Sequence, residues 1–322
     1  MNDHSDERQQ QLLNWLVDIY SGQNITLAAV SGDASFRRYF RFPISDTSMI
    51  AVDAPPALEN SQPFVDVTQL LLKNKLPVPE IYHASMEHGF FVIQDFGDQL
   101  LLNSLNNDSA DHLYKIATSA LLKIQKINPQ SLPPYDSELL QREMALFSDW
   151  YLAKHLGISI DDATLKILTE TYALLENNAL EQPRVFVHRD FHSRNLMILD
   201  PDTLGIIDFQ DAVNGPITYD LVSLFRDCYI AWPQEKIDQW ITEYYLHLPK
   251  PREFSEQQFR RWFDLMGMQR HLKATGIFCR LNYRDDKAAY IDDIPRTLNY
   301  VMQISGRYEE LKPIRLFLEN VN

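Results

Sequence analysis

The chain has 322 residues, 45% of them hydrophobic and 23% charged, a composition that excludes a disordered or collagen-like protein and fits one large domain or two coupled lobes. The 44 acidic residues outnumber the 30 basic ones and give a net charge of −14, which disfavours non-specific binding of nucleic acid but leaves anionic small substrates possible. Two cysteines, Cys228 and Cys279, are too few for a disulfide framework or a zinc cluster.

The N-terminal segment is polar and acidic, unlike a secretory signal, and no apolar run approaches the roughly 20 residues of a membrane helix. We therefore expect a cytoplasmic protein with no membrane partner. Helical spacing predicts a helix over residues 5–20, and apolar alternation then predicts a small antiparallel sheet with one inserted helix. The strands are predicted at 25–30, 36–42, 49–52, 81–84 and 90–96, and the inserted helix at 62–74.

Most of the remaining chain has helical periodicity, with segments near 109–127, 136–156, 162–179 and from 217 onwards. Residues 185–208 are the exception, because they alternate between short apolar runs, a polar loop at 188–194 and a turn. The pattern predicts an α+β protein with two lobes. The first, residues 1–97, is the β-rich nucleotide-binding lobe, and the second, residues 98–322, is helical and carries the catalytic loop and the acceptor site.

The polar loop carries the strongest chemical signal. Asp190 and Asn195 have the spacing of the catalytic loop of kinases, and Asp208 follows a strand and precedes a phenylalanine, as the metal-binding aspartate of kinases does. Transfer of a phosphoryl group from ATP needs a proton acceptor for the attacking hydroxyl and Mg²⁺, which prefers oxygen ligands. We therefore predict Asp190 as the catalytic base, Asn195 and Asp208 as Mg²⁺ ligands, and His188 as a residue that orients the loop.

Two other interpretations of this loop remain open. Aspartate and asparagine are common in surface turns, so the loop could be structural. Alternatively, His188, Asp190, His192 and Asp208 could be the ligands of a transition metal in a hydrolase, although no further histidine cluster completes such a site and Asn195 would have no role.

With these residues in view, the chain resembles the aminoglycoside phosphotransferase superfamily. The family loop H-x-D-x-H-x-x-N is matched from His188 to Asn195, and the metal motif I-D-[WF] is matched at 207–209. The segment 215–221 resembles the family pattern G-[DP]-x-x-x-D-L, in which Asp220 would cap a helix or brace the loop. The resemblance implies a protein-kinase-like fold and ATP and Mg²⁺ as cofactors.

A closer resemblance is to the bacterial kinases that phosphorylate the anomeric C1 hydroxyl of N-acetylmuramate and N-acetylglucosamine for cell-wall sugar recycling. It rests on four segments: GDASFRRYFR from Gly32, VDAPP from Val52, GIIDFQDAVNGPITYDLVSL from Gly205 and QRHLK from Gln269. The product would be a sugar 1-phosphate.

Two features depart from the kinase pattern. The loop at 31–35 has a single glycine, although Ser31, Gly32 and Ser35 could still present backbone N–H and hydroxyl groups to a phosphate. The third strand ends in Asp53, where kinases have a lysine that binds phosphate. Either the phosphates are held mainly by metal, or a cation of the adjacent hairpin replaces the lysine, with Arg37 and Arg38 as the predicted residues and Arg41 as a further candidate.

Further binding residues are predicted at two places. The resemblance implies that Gln94, Asp95 and Phe96 form the hinge that binds adenine through its backbone. Arg270 and Lys273 are predicted to bind the acceptor, since the lactyl carboxylate of N-acetylmuramate needs a cation. Tyr229, Trp232 and Tyr283 could stack on a sugar, although core packing is the favoured interpretation.

The leading hypothesis is therefore an ATP-dependent kinase of an amino sugar. A second hypothesis keeps the chemistry but changes the acceptor to an aminoglycoside, to an amino alcohol such as a choline-like compound, or to a thiamine-like compound. A third is a pseudokinase-like module that binds nucleotide, which only the missing lysine supports. The sign of charge around the acceptor separates the first two hypotheses, and product formation separates both from the third.

Overall fold

The computed structural model describes residues 2–21, 23–30 and 36–321, and the chain divides into two compact units. The first unit is Met1–Asn103 with Leu196–Asp211, and the second is Ser104–Asn195 with Ala212–Asn322. The prediction divided the chain once, between residues 97 and 98. In the structure the first unit extends to Asn103 and also includes residues 196–211. The chain passes from the first unit to the second within the short helix α3 (Leu101–Ser104).

A five-stranded antiparallel sheet in the order β1-β2-β3-β5-β4 forms the body of the first unit. Side chains alternate between its two faces along each strand. Phe40, Phe42 and Val92 lie on one face and pack with Leu12 and Leu16 of the N-terminal helix. The elements are α1 (Asn2–Ile19), β1 (Ala28–Val30), β2 (Arg38–Ile44), β3 (Thr47–Asp53), α2 (Gln62–Lys73), β4 (Ile81–Ser85) and β5 (Phe90–Gln94).

The opposite face of this sheet packs against α2. Val52 and Phe91 form a second apolar cluster with Phe64 and Val65 of that helix, and Tyr39 packs at its border. The sheet therefore has an α1 face and an α2 face, and the position of a residue along its strand decides which helix it meets.

A hairpin of β7 (Leu196–Asp200) and β8 (Thr203–Ile206) completes the first unit. Ile198 N–H donates to the carbonyl of Gln99 at 2.8 Å, and Ile206 N–H donates to the carbonyl of Pro77 at 2.8 Å. A Cβ on Gly205 would lie only 2.5 Å from the ring of Phe96, so glycine permits this approach. These contacts explain why residues predicted with the helical lobe pack with the sheet.

The second unit is mainly helical and is built around α9, whose face toward the core includes Phe263, Met266 and Leu272. Helix α9 packs against α5, α6, α7 and α10. A two-stranded antiparallel pair of β6 and β9 adjoins the helices. The elements are α4 (Ala110–Ile124), α5 (Ser137–Leu146), α6 (Asp162–Leu180), β6 (Arg184–Val187), β9 (Val213–Pro216), α7 (Tyr219–Phe225), α8 (Gln234–His247), α9 (Glu256–Asp285), α10 (Ile294–Ser305) and α11 (Lys312–Val321).

The α+β class is confirmed, with differences in detail. The segment 136–156, predicted as one helix, is α-helical only to Leu146 and continues as a π-helix over Phe147–His155. Strand β9 was not predicted, and β5 ends at Gln94 rather than at Phe96. Cys228 and Cys279 are both buried free thiols. None of the helices in the described part of the chain is long and apolar enough to cross a membrane.

Candidate active site

The catalytic loop follows β6 and is held at its start by a buried carboxylate. Asp220, in the first turn of α7, accepts hydrogen bonds from the backbone N–H of His188 at 2.7 Å and of Arg189 at 3.0 Å. The predicted bracing role of Asp220 agrees with these contacts. Burial raises the pKa of Asp220 to about 7, although the two N–H donors act in the opposite direction.

Arg189 adopts a left-handed backbone conformation with φ 76°, which a residue with a side chain rarely occupies. Its guanidinium donates to Glu143 Oε1 at 2.5 Å, while its backbone N–H is bound by Asp220. Glu143 also accepts from Lys273 Nζ at 2.9 Å and from the hydroxyl of Tyr135. Burial alone would raise the pKa of Glu143, but the charges of Lys273 and Arg189 outweigh it and lower the pKa to about 2.

Asp190 lies at the centre of the loop with its backbone fixed. Its N–H donates to His188 Nδ1 at 3.2 Å, and its carbonyl accepts from the backbone N–H of His192 and from Asn195 Nδ2, each at 3.0 Å. Within the described ranges, the carboxylate of Asp190 has no hydrogen-bond donor and no ion-pair partner within 4.0 Å. This carboxylate is therefore held in place but available to accept a proton.

The charge of Asp190 is stabilised by cations at longer range. Burial alone would raise the pKa of Asp190, but the charges of Lys273, His192 and Arg270 outweigh it and lower the pKa. The side chain is therefore ionised at neutral pH, as a base must be before it accepts a proton.

The far end of the loop has its own anchor. Asp227, which follows α7, is fully buried and accepts from both the N–H and the hydroxyl of Ser193, at 2.9 and 2.6 Å. The amide of Asn195 is oriented by its hydrogen bond to the carbonyl of Asp190. The loop is therefore held on both sides of Asp190.

Both predicted acceptor-binding cations come from α9 and are at least nine-tenths buried. Lys273 Nζ binds Glu143 and donates to the Tyr219 hydroxyl at 3.0 Å. Arg270, one turn earlier, donates from Nη1 to Cys228 Sγ at 3.6 Å. The second unit thus gathers His188, Asp190, Asn195, Arg270 and Lys273 around one loop.

The first unit carries Asp208 just beyond the end of β8. Its backbone φ is 64°, and Gln210 Nε2 donates to its Oδ1 at 2.9 Å. The next residue, Phe209, is buried and stacks on Phe64 of α2 with the ring centroids 5.7 Å apart and the planes only 5° from parallel. Asp208 is therefore fixed on the α2 face of the sheet.

Arg37 and Arg38 lie on opposite faces of the sheet. Arg37 points to the α2 face, where its guanidinium lies 3.6 Å from Glu59 Oε2 and 5.6 Å from the ring centroid of Phe64, and it hydrogen-bonds the Tyr39 hydroxyl. Burial raises the pKa of Tyr39 to about 12, and the charge of Asp208 contributes to the rise. The charges of Arg37 and Asp208 thus both act on the hydroxyl of Tyr39.

Asp53, which stands where the kinase pattern has lysine, lies on the α1 face and is fully buried. Its carboxylate accepts from Nε of Arg8 at 2.9 Å and from Nε of Arg38 at 3.0 Å. Arg38 is therefore engaged in a structural ion pair. Arg41 is engaged in the same way by Asp95 and Asp98.

The predicted adenine hinge begins at Gln94, the last residue of β5. Arg41 and the N–H of Gly97 bind the carboxylate of Asp95, and these contacts lower its pKa although burial opposes them. Gln94 N–H donates to the carbonyl of Glu80, and Phe96 lies against Gly205. Ser31, Gly32 and Ser35 lie outside the described residues.

The aromatic candidates have separate surroundings. Trp232 donates to the Tyr114 hydroxyl at 2.7 Å and packs in an aromatic cluster, as the core interpretation predicts. The Tyr229 ring lies against the guanidinium of Arg194, 3.6 Å from its centroid. Tyr283 is exposed and shares a hydrogen bond with His155 at 2.9 Å.

Sequence reasoning missed Glu143, Asp227 and Glu59, which bind the loop residues and Arg37. None of them belongs to a short motif, so only the packing of α5, of α9 and of the segment after α7 could have identified them. As for the alternative of a transition-metal hydrolase, no group of three or more His, Cys, Asp and Glu side chains suited to a metal ion occurs in residues 2–21, 23–30 and 36–321.

Comparison with known proteins agrees with this geometry. Residues 26–257 match the model of the "Phosphotransferase enzyme family". The chain is 44% identical over 292 residues to an N-acetylmuramate/N-acetylglucosamine kinase of Pseudomonas putida, a match that covers 89% of this chain and 85% of the relative. It is 41% identical over 323 residues to a protein of the same name from Neisseria meningitidis serogroup B, with 97% of this chain and 95% of the relative covered.

Solved structures share the fold at low sequence identity. The ADP-bound aminoglycoside phosphotransferase APH(2'')-Ib superimposes with a TM-score of 0.63 at 15% identity, covering 91% of this chain and 98% of that one. The choline kinase LicA of Streptococcus pneumoniae gives a TM-score of 0.64 at 12% identity, covering 92% and 99%. The predicted relationship to aminoglycoside phosphotransferases and their protein-kinase-like fold is confirmed.

Proposed function

Because the chain belongs to the phosphotransferase enzyme family, we propose that it transfers the γ-phosphoryl group of ATP to the anomeric C1 hydroxyl of N-acetylmuramate or N-acetylglucosamine. The products are the sugar 1-phosphate and ADP. The names of the relatives support the choice of sugar, and the family supports the use of ATP. The observation that carries the proposal is the carboxylate of Asp190, which is fixed, ionised and without a donor among the described residues.

In this proposal Asp190 is the catalytic base. Its carboxylate accepts the proton of the sugar hydroxyl while the hydroxyl oxygen forms a bond to the γ-phosphorus, and the bond from that phosphorus to the β,γ-bridging oxygen breaks. Asp220, Glu143 and Asp227 do not exchange protons with the sugar. They hold the loop, so that the base is in place before the substrate arrives.

The same proposal assigns Asn195 and Asp208 as the protein ligands of Mg²⁺. An amide oxygen and a carboxylate are hard oxygen donors, which suit this ion, and the hydrogen bond of the Asn195 amide nitrogen fixes the orientation of its oxygen. In the first unit Leu196, the residue after Asn195, pairs with Ile206, two residues before Asp208. When bound, Mg²⁺ would neutralise charge on the nucleotide phosphates.

Arg37 is proposed as the cation that binds the nucleotide phosphates in place of lysine. It lies on the same face of the sheet as Asp208, whereas Arg38 is engaged by Asp53 on the other face. Gln94, Asp95 and Phe96 remain the proposed adenine hinge through their backbone groups, and Ser31, Gly32 and Ser35 the proposed phosphate loop. A cytoplasmic location, where ATP is available, also remains a prediction.

An acceptor panel tests this function. The purified protein is incubated with ATP, Mg²⁺ and, separately, N-acetylmuramate, N-acetylglucosamine, choline, ethanolamine, thiamine and an aminoglycoside, and both ADP and the phosphorylated product are measured. We expect sugar 1-phosphate from the two amino sugars and no product from the cationic acceptors. Turnover of a cationic acceptor alone would support a kinase of another substrate, and ATP binding without transfer to any acceptor would support a pseudokinase.

A further inference from the structure

One buried cation beside the catalytic loop, Arg270, contacts no carboxylate of the described residues directly, although the charges of Asp190 and Asp227 act on it at longer range. Arg270 is only 6% exposed, and the single hydrogen bond of its guanidinium to the described part of the chain is the one to Cys228 Sγ at 3.6 Å. No carboxylate of those residues lies within 4.0 Å of it. By contrast, Lys273 and Arg189 share the carboxylate of Glu143.

Such an arrangement is unfavourable unless something else compensates the charge. Burial removes the hydration of a guanidinium, and a neutral thiol replaces little of it. Arg226, on the adjacent segment, shows the usual solution, since it is equally buried and donates to Asp264 at 2.6 Å. Arg270 therefore has the character of a site for an anion in direct contact, since the described residues place only a thiol against it and their carboxylates lie farther away.

The position of Arg270 relates this anion site to the reaction. One turn further along α9, Lys273 binds Glu143, which holds Arg189 immediately before the base. Cys228, the residue that Arg270 contacts, follows Asp227, which holds Ser193 on the other side of the base. The guanidinium therefore lies near enough to the loop for its charge to act on Asp190.

We propose that Arg270 binds the carboxylate of an acidic acceptor sugar and thereby makes the enzyme favour N-acetylmuramate over N-acetylglucosamine. The inference rests on the proposed function and separates the two candidate cations that the sequence suggested. The two sugars share the ring, the acetamido group and the C1 hydroxyl, and they differ in a lactyl ether that ends in a carboxylate. A guanidinium matches a carboxylate through two parallel hydrogen bonds.

Lys273 is less suited to this role, because its ammonium group already contacts the carboxylate of Glu143 within the described structure. The negative charge of Asp190 is a second reason why a cation at position 270 would help to bind an acidic acceptor. An acidic acceptor must bring its carboxylate toward a site that contains an ionised base, and a nearby guanidinium offsets the repulsion between the two anions. A neutral acceptor experiences no such repulsion and gains little from Arg270.

Steady-state kinetics of wild-type protein and Arg270→Met test the inference, with N-acetylmuramate, its neutral methyl ester and N-acetylglucosamine as acceptors. We expect kcat/KM for N-acetylmuramate to fall about 100-fold, mainly through KM, as when one partner of a desolvated charge pair is removed. For the ester and for N-acetylglucosamine we expect changes within about 3-fold. Arg142→Met is the matched control, since Arg142 is exposed on α5, and it should leave all three substrates unchanged.

The three substrates distinguish the possible outcomes. Equal losses for all three acceptors would overturn the inference and indicate that Arg270 acts on the phosphoryl group or positions the loop. If Arg270→Met does not fold, two other measurements test the inference. They are the kinetics of Arg270→Lys, which keeps the charge, and the preference of the wild-type protein for the acid over its ester. Wild-type protein that turns over acid and ester equally well would overturn the inference alone. Wild-type protein that phosphorylates neither sugar would overturn the proposed function, and the inference with it.

Discussion

Glu143 is the residue on which the charges around the catalytic loop depend. It receives Arg189, Lys273 and the Tyr135 hydroxyl, and these partners allow a carboxylate that is only 4% exposed to remain ionised. Removal of its charge would leave two buried cations without a counter-ion, which is more costly than the loss of the pair as a whole. Glu143 therefore stabilises the second unit even though it has no part in proton transfer.

This charge has a pH signature. The pKa of Glu143 is about 2 in the folded protein against 4.5 as the ordinary value, so the unfolded chain binds more protons between these pH values. Its stabilising contribution is therefore complete above about pH 4.5 and is lost as the pH falls toward 2. We expect Glu143→Gln to destabilise the protein by about 3 kcal/mol at pH 7 and by clearly less at pH 3, measured by urea unfolding. Exposed Glu87→Gln is the control, and a loss that does not depend on pH would contradict the assignment.

Arg37, which precedes β2, and Arg38, the first residue of β2, differ in role because they lie on different faces of the sheet. Arg38 and Arg8 compensate the buried carboxylate of Asp53, whereas Arg37 lies with Glu59 and Phe64 on the face that carries Asp208. The aspartate that stands in place of the kinase lysine at the end of β3 thus has a structural role, since it forms ion pairs with Arg8 and Arg38.

Arg37→Met and Arg38→Met should therefore affect different properties. We expect Arg37→Met to raise KM for ATP about 10- to 100-fold, as for the loss of one charged hydrogen-bond partner, with a modest change in melting temperature. We expect Arg38→Met to lower the melting temperature with little change in KM, because Asp53 loses one of its two partners. The opposite pattern in ATP titrations and thermal unfolding would reverse the two roles.

At the level of elements, α9 comes unusually close to the junction between α5 and the π-helix. A Cβ on Gly276 would lie 2.3 Å from the backbone carbon and oxygen of Leu146. Backbone atoms cannot move aside as the end of a side chain can, so this crossing requires glycine. The crossing in turn fixes α9, from which Arg270 and Lys273 project.

We expect Gly276→Ala to destabilise the protein by about 1–3 kcal/mol and to weaken acceptor binding, because α9 must shift away from Leu146. Gly306→Ala is the matched control. The new methyl group would press on the movable end of the Arg315 side chain, the carbonyl oxygen of Gln303 would lie at an ordinary contact distance of 3.5 Å, and φ at this position is −78°. Thermal unfolding and KM for the sugar measure both effects. If the two variants prove equally stable, α9 does not depend on this close approach.

How far the sequence predicts these elements depends on where the signal lies. The strands β2, β3 and β5 and the loop around Asp190 were predictable, because apolar alternation and a dense motif both act over a few residues. Strand β9 was not, since its Val213–Pro216 segment contains Asn, Gly and Pro and becomes a strand only by pairing with β6. The π-helix was likewise hidden, because its composition continues the helical pattern before it.

The pairing of charged residues in the site could be identified only from the tertiary structure. The motifs identified His188, Asp190, Asn195, Asp208 and Asp220. They did not indicate that Glu143 contacts Lys273 while Arg270 has no carboxylate of the described residues in direct contact. Arg270 and Lys273 are equivalent in the sequence, and only their neighbours distinguish them. The same holds for Arg37 and Arg38, which differ by one position along the chain and thus by one face of the sheet.

At the level of the whole molecule, the proposed chemistry is divided between the two compact units. The first holds Asp208, Arg37 and the proposed adenine hinge, and the second holds the catalytic base, its anchors and the cations of α9. In the proposed mechanism the fold holds charged groups in place before the substrates bind, and Asp190 alone moves a proton. The rest of the mechanism therefore depends on this carboxylate being the base.

Turnover of Asp190→Asn with ATP, Mg²⁺ and N-acetylmuramate is the decisive test of this assignment, with Asp18→Asn, an exposed position on α1, as the control. The amide cannot accept the proton, so we predict a fall in kcat of about 10²- to 10⁴-fold, an unchanged melting temperature and an unchanged Kd for ATP. A folded Asp190→Asn protein that forms the sugar 1-phosphate at nearly the wild-type rate would contradict the proposed mechanism.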